Sequence, residues 1–321
     1  MPLRPSGRRS IGSEGTSSEP RVSAPGAARR RLPVRVSNGK TQRGAILELW
    51  QAVVLGIVEG LTEFLPISST GHLVLFSELL GIDPADRSVI AFNAIIQGGA
   101  IMAILVFFMK DIVRIAKGFS VGLFNREKRG HDYRYGWYVI VGTIPIVVVG
   151  LISSDYIDRI FNLWVVAIGA IGWTFVMWFG ERVATLQRTE QHANLKDAIF
   201  VGSLQVLSLF PGVSRSGATM TAGLLRDFDR ESAARFSFLL GIPALTGAGL
   251  LEMDQLAGGN VPIPSLVTGI VVSGVVAYAS VAWLMKFVTK HSFMIFVWYR
   301  FAFGGIILLL LTTGVVGAAG N

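Results

Sequence analysis

Residues 56–72 read Gly-Ile-Val-Glu59-Gly-Leu-Thr-Glu63-Phe-Leu-Pro66-Ile-Ser68-Ser69-Thr70-Gly71-His72, and residues 202–219 read Gly-Ser-Leu-Gln205-Val-Leu-Ser-Leu-Phe210-Pro211-Gly-Val-Ser214-Arg215-Ser216-Gly217-Ala-Thr219. Each is an apolar stretch broken at its centre by polar residues and a helix breaker. Overlaid at an offset of 146, Gly56 meets Gly202, Glu59 meets Gln205, Phe64 meets Phe210, Ser68 meets Ser214, Thr70 meets Ser216 and Gly71 meets Gly217. The likeness continues at an offset of 144, where Phe92, Asn93 and Ala100 meet Phe236, Ser237 and Ala244. The chain therefore carries an internal repeat, one copy over about 46–153 and the other over about 195–290.

Outside the two stretches the composition is that of a membrane protein: of 321 residues, 51% are hydrophobic and 16% charged, with 37 glycines. Apolar runs cover 89–109, 136–152, 163–179, 233–251, 264–284 and 293–315. Each is near the roughly 20 residues that a helix needs to cross about 30 Å of hydrocarbon. The runs lack the alternation of a membrane β-barrel, so the spacing predicts an all-α polytopic protein with about six transmembrane helices. The two broken stretches are expected to be re-entrant helix-loop-helix hairpins. Cysteine is absent, which removes disulfides and thiolate metal sites.

Residues 1–45 differ in kind, being rich in Arg, Ser, Pro and Gly and poor in large apolar side chains, and are expected to form a disordered basic tail. No apolar core suited to a secretory signal precedes Ile46. Ten basic residues of the tail account for much of the formal net charge of +8, and most of the others flank apolar runs. No nucleic-acid partner is expected.

Lys and Arg in the loops set the orientation. One side collects fifteen, within 110–134, 182–196, 226–235 and 286–290, against two on the other, Arg87 and Arg159. The richer side is read as cytoplasmic, which leaves the C-terminus outside. The tail's positive charges argue the other way, a conflict that a start codon downstream of Met1 would resolve. Three full spans separate the repeat copies, and an odd number inverts the second. Inverted repeats built on broken helices meet near the bilayer midplane, so the two polar turns are expected to face each other.

The turns carry the ionisable groups that are costly in lipid. Glu59 and Glu63, at i and i+4, share a helical face and call for a cation, a shared proton or a basic partner. Two carboxylates suit a hard divalent ion, Mg²⁺ or Ca²⁺, completed by waters and phosphate oxygens. Protonated carboxyls bonded to neighbouring helices are the structural alternative. Ser68, Ser69 and Thr70 would pass as capping residues, but a hydroxyl beside a carboxylate and an imidazole is how a weak nucleophile is activated, with His72 able to move protons. Arg215, near the start of a half-helix, brings a guanidinium to where free N–H groups and the helix dipole converge. That combination is an anion site suited to phosphate.

At these residues the chain resembles the undecaprenyl-diphosphate phosphatase family, the bacitracin-resistance proteins of bacterial cell-wall synthesis, over roughly Ile46 to Val315. The resemblance implies that Glu59 and Glu63 are the acidic, metal-binding pair, Ser69 the nucleophile and His72 an essential histidine. It likewise implies that Ser214, Arg215, Ser216 and Thr219 form a phosphate-binding loop, and Thr70 is expected to bind the phosphate with them. It further implies dependence on a divalent cation and a site opening to the outer face of the plasma membrane. The expected reaction converts undecaprenyl diphosphate to undecaprenyl phosphate and inorganic phosphate, recycling the carrier lipid. A transporter or flippase for the same lipid is the rival reading, since inverted repeats meeting at a polar midplane also mark transporters. Oligomeric state is left open, a homodimer included.

Overall fold

The computed structural model describes residues 47–252 and 261–318, so the basic tail expected over 1–45 lies outside the described residues. Among the described residues six helices are long and apolar enough to cross a membrane, and they coincide with the six apolar runs. In chain order they are α3 (Arg87–Phe107), α5 (His131–Ile160), α6 (Leu163–Val183), α9 (Arg230–Glu252), α10 (Ile263–Val288) and α11 (Met294–Thr312). The chain is a multi-pass, all-helical membrane protein. Pro145 within α5 and Pro243 within α9 are tolerated because the surrounding helices offer partners for the backbone groups that proline frees.

Each broken stretch forms two short helices around a turn: α1 (Leu49–Thr62) with α2 (Ser69–Leu79), and α7 (Leu195–Gln205) with α8 (Arg215–Leu225). At 1.5 Å per residue the longest of these, with 14 residues, reaches about 21 Å, short of a bilayer's hydrocarbon core. Asn194 starts α7, its side chain accepting from the Lys196 and Asp197 amides. A further helix, α4 (Met109–Phe124), occupies part of the segment read as a charged loop. It is amphipathic: Ile115 and Gly122 are buried against α5 while Lys110, Arg114 and Lys117 stay exposed.

Helix pairing exchanges the two halves of the chain. Helices α1 and α3 of the first half pack on α10 of the second, and α7 and α9 of the second half pack on α5 of the first. A further pair, α3 with α9, joins the halves directly, and α6, which lies between the two repeat copies, packs on α11.

The positively charged segments gather at one end. Arg235 Nη1 meets Asp111 Oδ2 at 2.7 Å and Arg114 Nη2 meets Glu190 Oε1 at 3.4 Å, which ties the segments 110–134, 182–196 and 226–235 together. Asp197, fully buried, accepts from Arg188 Nη2 at 2.5 Å and Arg226 Nε at 2.7 Å. Glu181 pairs with Arg230 and accepts from the Phe293 amide at 3.4 Å, which brings in the segment before α11. Arg226 and Arg230 are thus committed to buried carboxylates. Burial raises the Glu190 carboxyl above its ordinary range, opposed by Arg235 and Arg114 beside it.

Candidate active site

The two turns touch. Glu63, just past the end of α1, sends Oε1 to Arg215 Nη2 at 3.1 Å and accepts on Oε2 from the Ser69 hydroxyl at 2.7 Å. One carboxylate thus bridges the first residue of α2 and the first residue of α8. Ser216 Oγ makes a second tie, donating to the Leu65 carbonyl at 3.0 Å. Both members of the ion pair are sheltered, with side-chain exposures of 10% for Arg215 and 6% for Glu63, so neither charge is left to bulk water.

Helix α6 is the wall on which both turns rest. A Cβ on Gly169 would lie 2.2 Å from the Pro211 carbonyl, and one on Gly212 2.1 Å from that of Val166. Gly212 also has a φ of +93°, so glycine is required there on both counts. On the first turn a Cβ added at Gly71 would come within 2.8 Å of the Val166 side chain.

Arg215 is half used. Its Nε and Nη1 are buried with no hydrogen-bond partner among the described residues, while Nη2 holds Glu63. The Phe64 ring centre lies 5.9 Å from the guanidinium carbon, and the group lies close against Gly241 of α9, where an added Cβ would sit 2.0 Å from Nη1. Two buried donors on a cation, at the positive end of a helix dipole, are the chemical requirement for an oxyanion.

Ser214 caps α8, its Oγ accepting from the Gly217 amide at 3.2 Å and lying 3.2 Å from Ser216 Oγ. Thr219 points inward, donating to the Arg215 carbonyl at 2.9 Å and pairing with Ser237 of α9. Thr70 is exposed beside the first turn. His72 is buried. Its Nδ1 lies 2.7 Å from the Ser68 carbonyl, its Nε2 lies 2.7 Å from the Tyr299 hydroxyl, and its ring stacks on Phe303 with centroids 3.7 Å apart. A carbonyl only accepts, so Nδ1 carries a proton and donates to it. The group within reach of the Ser69 proton is Glu63.

The donor set bears on a metal. Among the described residues no cluster of three His, Asp or Glu side chains is placed to hold an ion. Mg²⁺ characteristically takes one or two protein carboxylates and completes its shell with waters and substrate phosphate, and Glu59 and Glu63 fit that pattern. The Glu63 amide donates to the Glu59 carbonyl at 3.0 Å in helical geometry, which keeps the two side chains on one face.

Comparison with known proteins matches residues 52–306 to the model of the family described as bacitracin resistance protein BacA. The chain belongs to that family. Among the relatives, undecaprenyl-diphosphatase 1 of Streptomyces avermitilis is 52% identical over 275 residues, spanning 85% of this chain and 99% of the relative. Undecaprenyl-diphosphatase of Cutibacterium acnes is 49% identical over 280 residues, spanning 83% and 98%. That of Corynebacterium diphtheriae is 45% identical over 273 residues, spanning 84% and 96%.

Two residues that the sequence reading missed belong to the surroundings of the turns, Tyr299 and Arg300. Arg300 is the one charged residue in the run from Phe293 to Val315, and a lone charge inside a span was the signal available.

Proposed function

We propose that the chain is a hydrolase that converts undecaprenyl diphosphate to undecaprenyl phosphate and inorganic phosphate at the junction of the two turns. The observation that carries this reading is the Glu63 carboxylate held between the Ser69 hydroxyl and the Arg215 guanidinium. It joins a nucleophile, its base and an anion-binding cation in one buried place.

In this reading the terminal phosphoryl group sits on the free Nε and Nη1 of Arg215 and on the amides at the start of α8. Ser69 Oγ attacks the phosphorus as its proton passes to Glu63 Oε2. The bond from phosphorus to the bridging oxygen breaks, and undecaprenyl phosphate leaves with that oxygen. Glu63 gives its proton to the departing oxygen and, a carboxylate again, deprotonates the water that attacks the phosphoserine; the bond from phosphorus to Oγ breaks, Oγ takes that proton back and inorganic phosphate leaves. Arg215 neutralises charge on the equatorial oxygens throughout. His72, locked between Ser68 and Tyr299, fixes the start of α2 and hence the direction of Ser69. A Mg²⁺ or Ca²⁺ ion on Glu59 and Glu63 would add Lewis-acid neutralisation of the phosphate oxygens.

The protein is further proposed to lie in the plasma membrane with the site opening to the outer face, supported by the gathering of basic loops at one end of the bundle, which the excess of Lys and Arg reads as cytoplasmic. The flippase reading has no use for a serine poised on a carboxylate. Phosphate release from undecaprenyl diphosphate by the purified protein in detergent, where transport has no meaning, tests the proposal. Release that needs Arg215 and is abolished by chelator is expected; no release from folded wild-type protein would sink it.

A further inference from the structure

Arg300 lies on α11, is fully buried, and donates to backbone on three other elements: Nη1 to the Pro66 carbonyl at 3.3 Å, Nη2 to that of Gly212 at 2.8 Å and to that of Ala170 at 3.2 Å. Pro66 and Gly212 are the same position of the two repeats, 146 residues apart, each two residues ahead of the serine that precedes α2 or α8. A single side chain therefore grips the equivalent carbonyl in both turns and anchors both to α6.

Broken helices leave turn carbonyls without intrahelical partners, and in a membrane interior water is scarce to satisfy them. A buried guanidinium is a costly way to do so; an apolar side chain with the turns held by packing would avoid that cost. What the guanidinium adds is geometry, because its rigid planar fork fixes several acceptors relative to one another. We propose that Arg300 is a positioning residue that sets the register of the two turns, so that Ser69 and Glu63 on the first lie against Arg215 on the second. The adjacent residue extends the same control: Tyr299 meets His72, whose other nitrogen holds the Ser68 carbonyl. The inference rests on the turns being the reactive centre.

The test is steady-state phosphate release from undecaprenyl diphosphate in detergent by wild type, Arg300→Met, Arg300→Lys, Ser216→Ala, the Arg300→Met/Ser216→Ala double variant and Arg215→Ala, with the folded fraction measured by size exclusion. Arg300→Met is expected to lower kcat by about 100-fold with KM within about threefold, the signature of lost alignment with binding retained. Arg300→Lys, with three donors on one nitrogen, is expected to recover about tenfold of that loss. Because Ser216 also ties the turns, the double variant should lose less than the product of the single losses, whereas a loss of folded protein alone would multiply. If Arg300→Met does not fold, Arg300→Lys takes its place in the cycle with Ser216→Ala. Full kcat in Arg300→Met with Arg215→Ala inactive would overturn the role of Arg300 alone. So would a fall matched by the folded fraction, or strictly multiplicative losses. Full activity in Arg215→Ala would overturn the reading of the turns, and this inference with it.

Discussion

Ser68 and Ser214, equivalent residues of the two repeats, both hold a positive φ, +79° and +73°, immediately before α2 and α8. L-residues rarely adopt such angles, and each costs on the order of 1–3 kcal/mol that the surrounding packing must offset. The bend lets each half-helix start sharply from its turn and places Ser69 and Arg215, the next residues, at the junction. Ser68→Gly should therefore leave thermal stability within about 1 kcal/mol of wild type, whereas Ser68→Val, β-branched at positive φ, should cost more than about 2 kcal/mol. Unfolding followed by intrinsic fluorescence in detergent checks this; a harmless valine would mean that the angle is not held in solution.

The short contact from Ser69 to Glu63 predicts how the reaction fails. With the nucleophile removed, Ser69→Ala should lower kcat by at least about 1,000-fold, and Glu63→Gln, which keeps a hydrogen-bonding side chain but not the base, by a comparable factor. Because the two act as a unit, the double variant should be little worse than either alone. Ser69→Ala retaining activity within about tenfold, a cost of roughly 1.4 kcal/mol, would exclude the covalent route and leave direct attack by water.

The sequence disclosed the six spans, the broken stretches and the acidic and basic turns because each rests on local composition: apolar length, i and i+4 charge spacing, and a Pro-Gly break. It misassigned 109–124 because α4 is amphipathic and its charges, counted as loop residues, hid the face that packs on α5. The partner of His72 was not legible from its neighbourhood, since Tyr299 is 227 positions away. Arg226 and Arg230 gave no local sign of the carboxylates that hold them, since Asp197 and Glu181 approach from other elements. Periodicity reveals which face is buried. It does not reveal which side chains from distant segments meet there.

Dependence on a divalent ion can be separated from the chemistry of the turn itself. Chelator should abolish phosphate release and added Mg²⁺ or Ca²⁺ restore it, with Glu59→Gln requiring about tenfold more ion for half-maximal rate. The two-carboxylate fit would fail if Glu59→Gln left the ion requirement unchanged. Activity that ignores chelator altogether would leave Arg215 as the source of charge neutralisation.

At the basic end of the bundle Asp227 predicts a pH response. Hydrogen bonds from the Thr185 amide, at 3.0 Å, and hydroxyl, at 2.8 Å, hold its carboxyl below the ordinary value of 3.8, aided by Arg188 and Arg226. A folded-state value below the unfolded one stabilises above the unfolded value and is lost as pH falls through the folded value. Asp227 also has a φ of +64°, a conformation that asparagine tolerates, so Asp227→Asn removes charge without adding backbone strain. Its Tm should lie below that of wild type at pH 7, with the gap closing as pH is lowered past 3.8. A gap independent of pH would assign the effect to shape and not to charge.

Gly241 of α9 lies directly against the Arg215 guanidinium. A methyl group there would fall 2.0 Å from Arg215 Nη1 and 2.8 Å from its Cζ, distances that no pair of atoms sustains, and the flexible guanidinium is what must move. Moving it breaks the 3.1 Å bond to Glu63 and withdraws the two free donors from the place where phosphate would bind. Gly241→Ala should therefore raise KM and lower kcat together, with kcat/KM falling by about 100-fold, the usual consequence of misplacing a catalytic group by about 1 Å. Helix α9 gains a better helix former, by up to about 1 kcal/mol, so stability should hold. Gly247→Ala on the same helix, where an added Cβ meets nothing within 4 Å, is the control and should behave as wild type. An active Gly241→Ala would show that the guanidinium does not need this position, and the phosphate would then be held by the α8 amides and their hydroxyls alone.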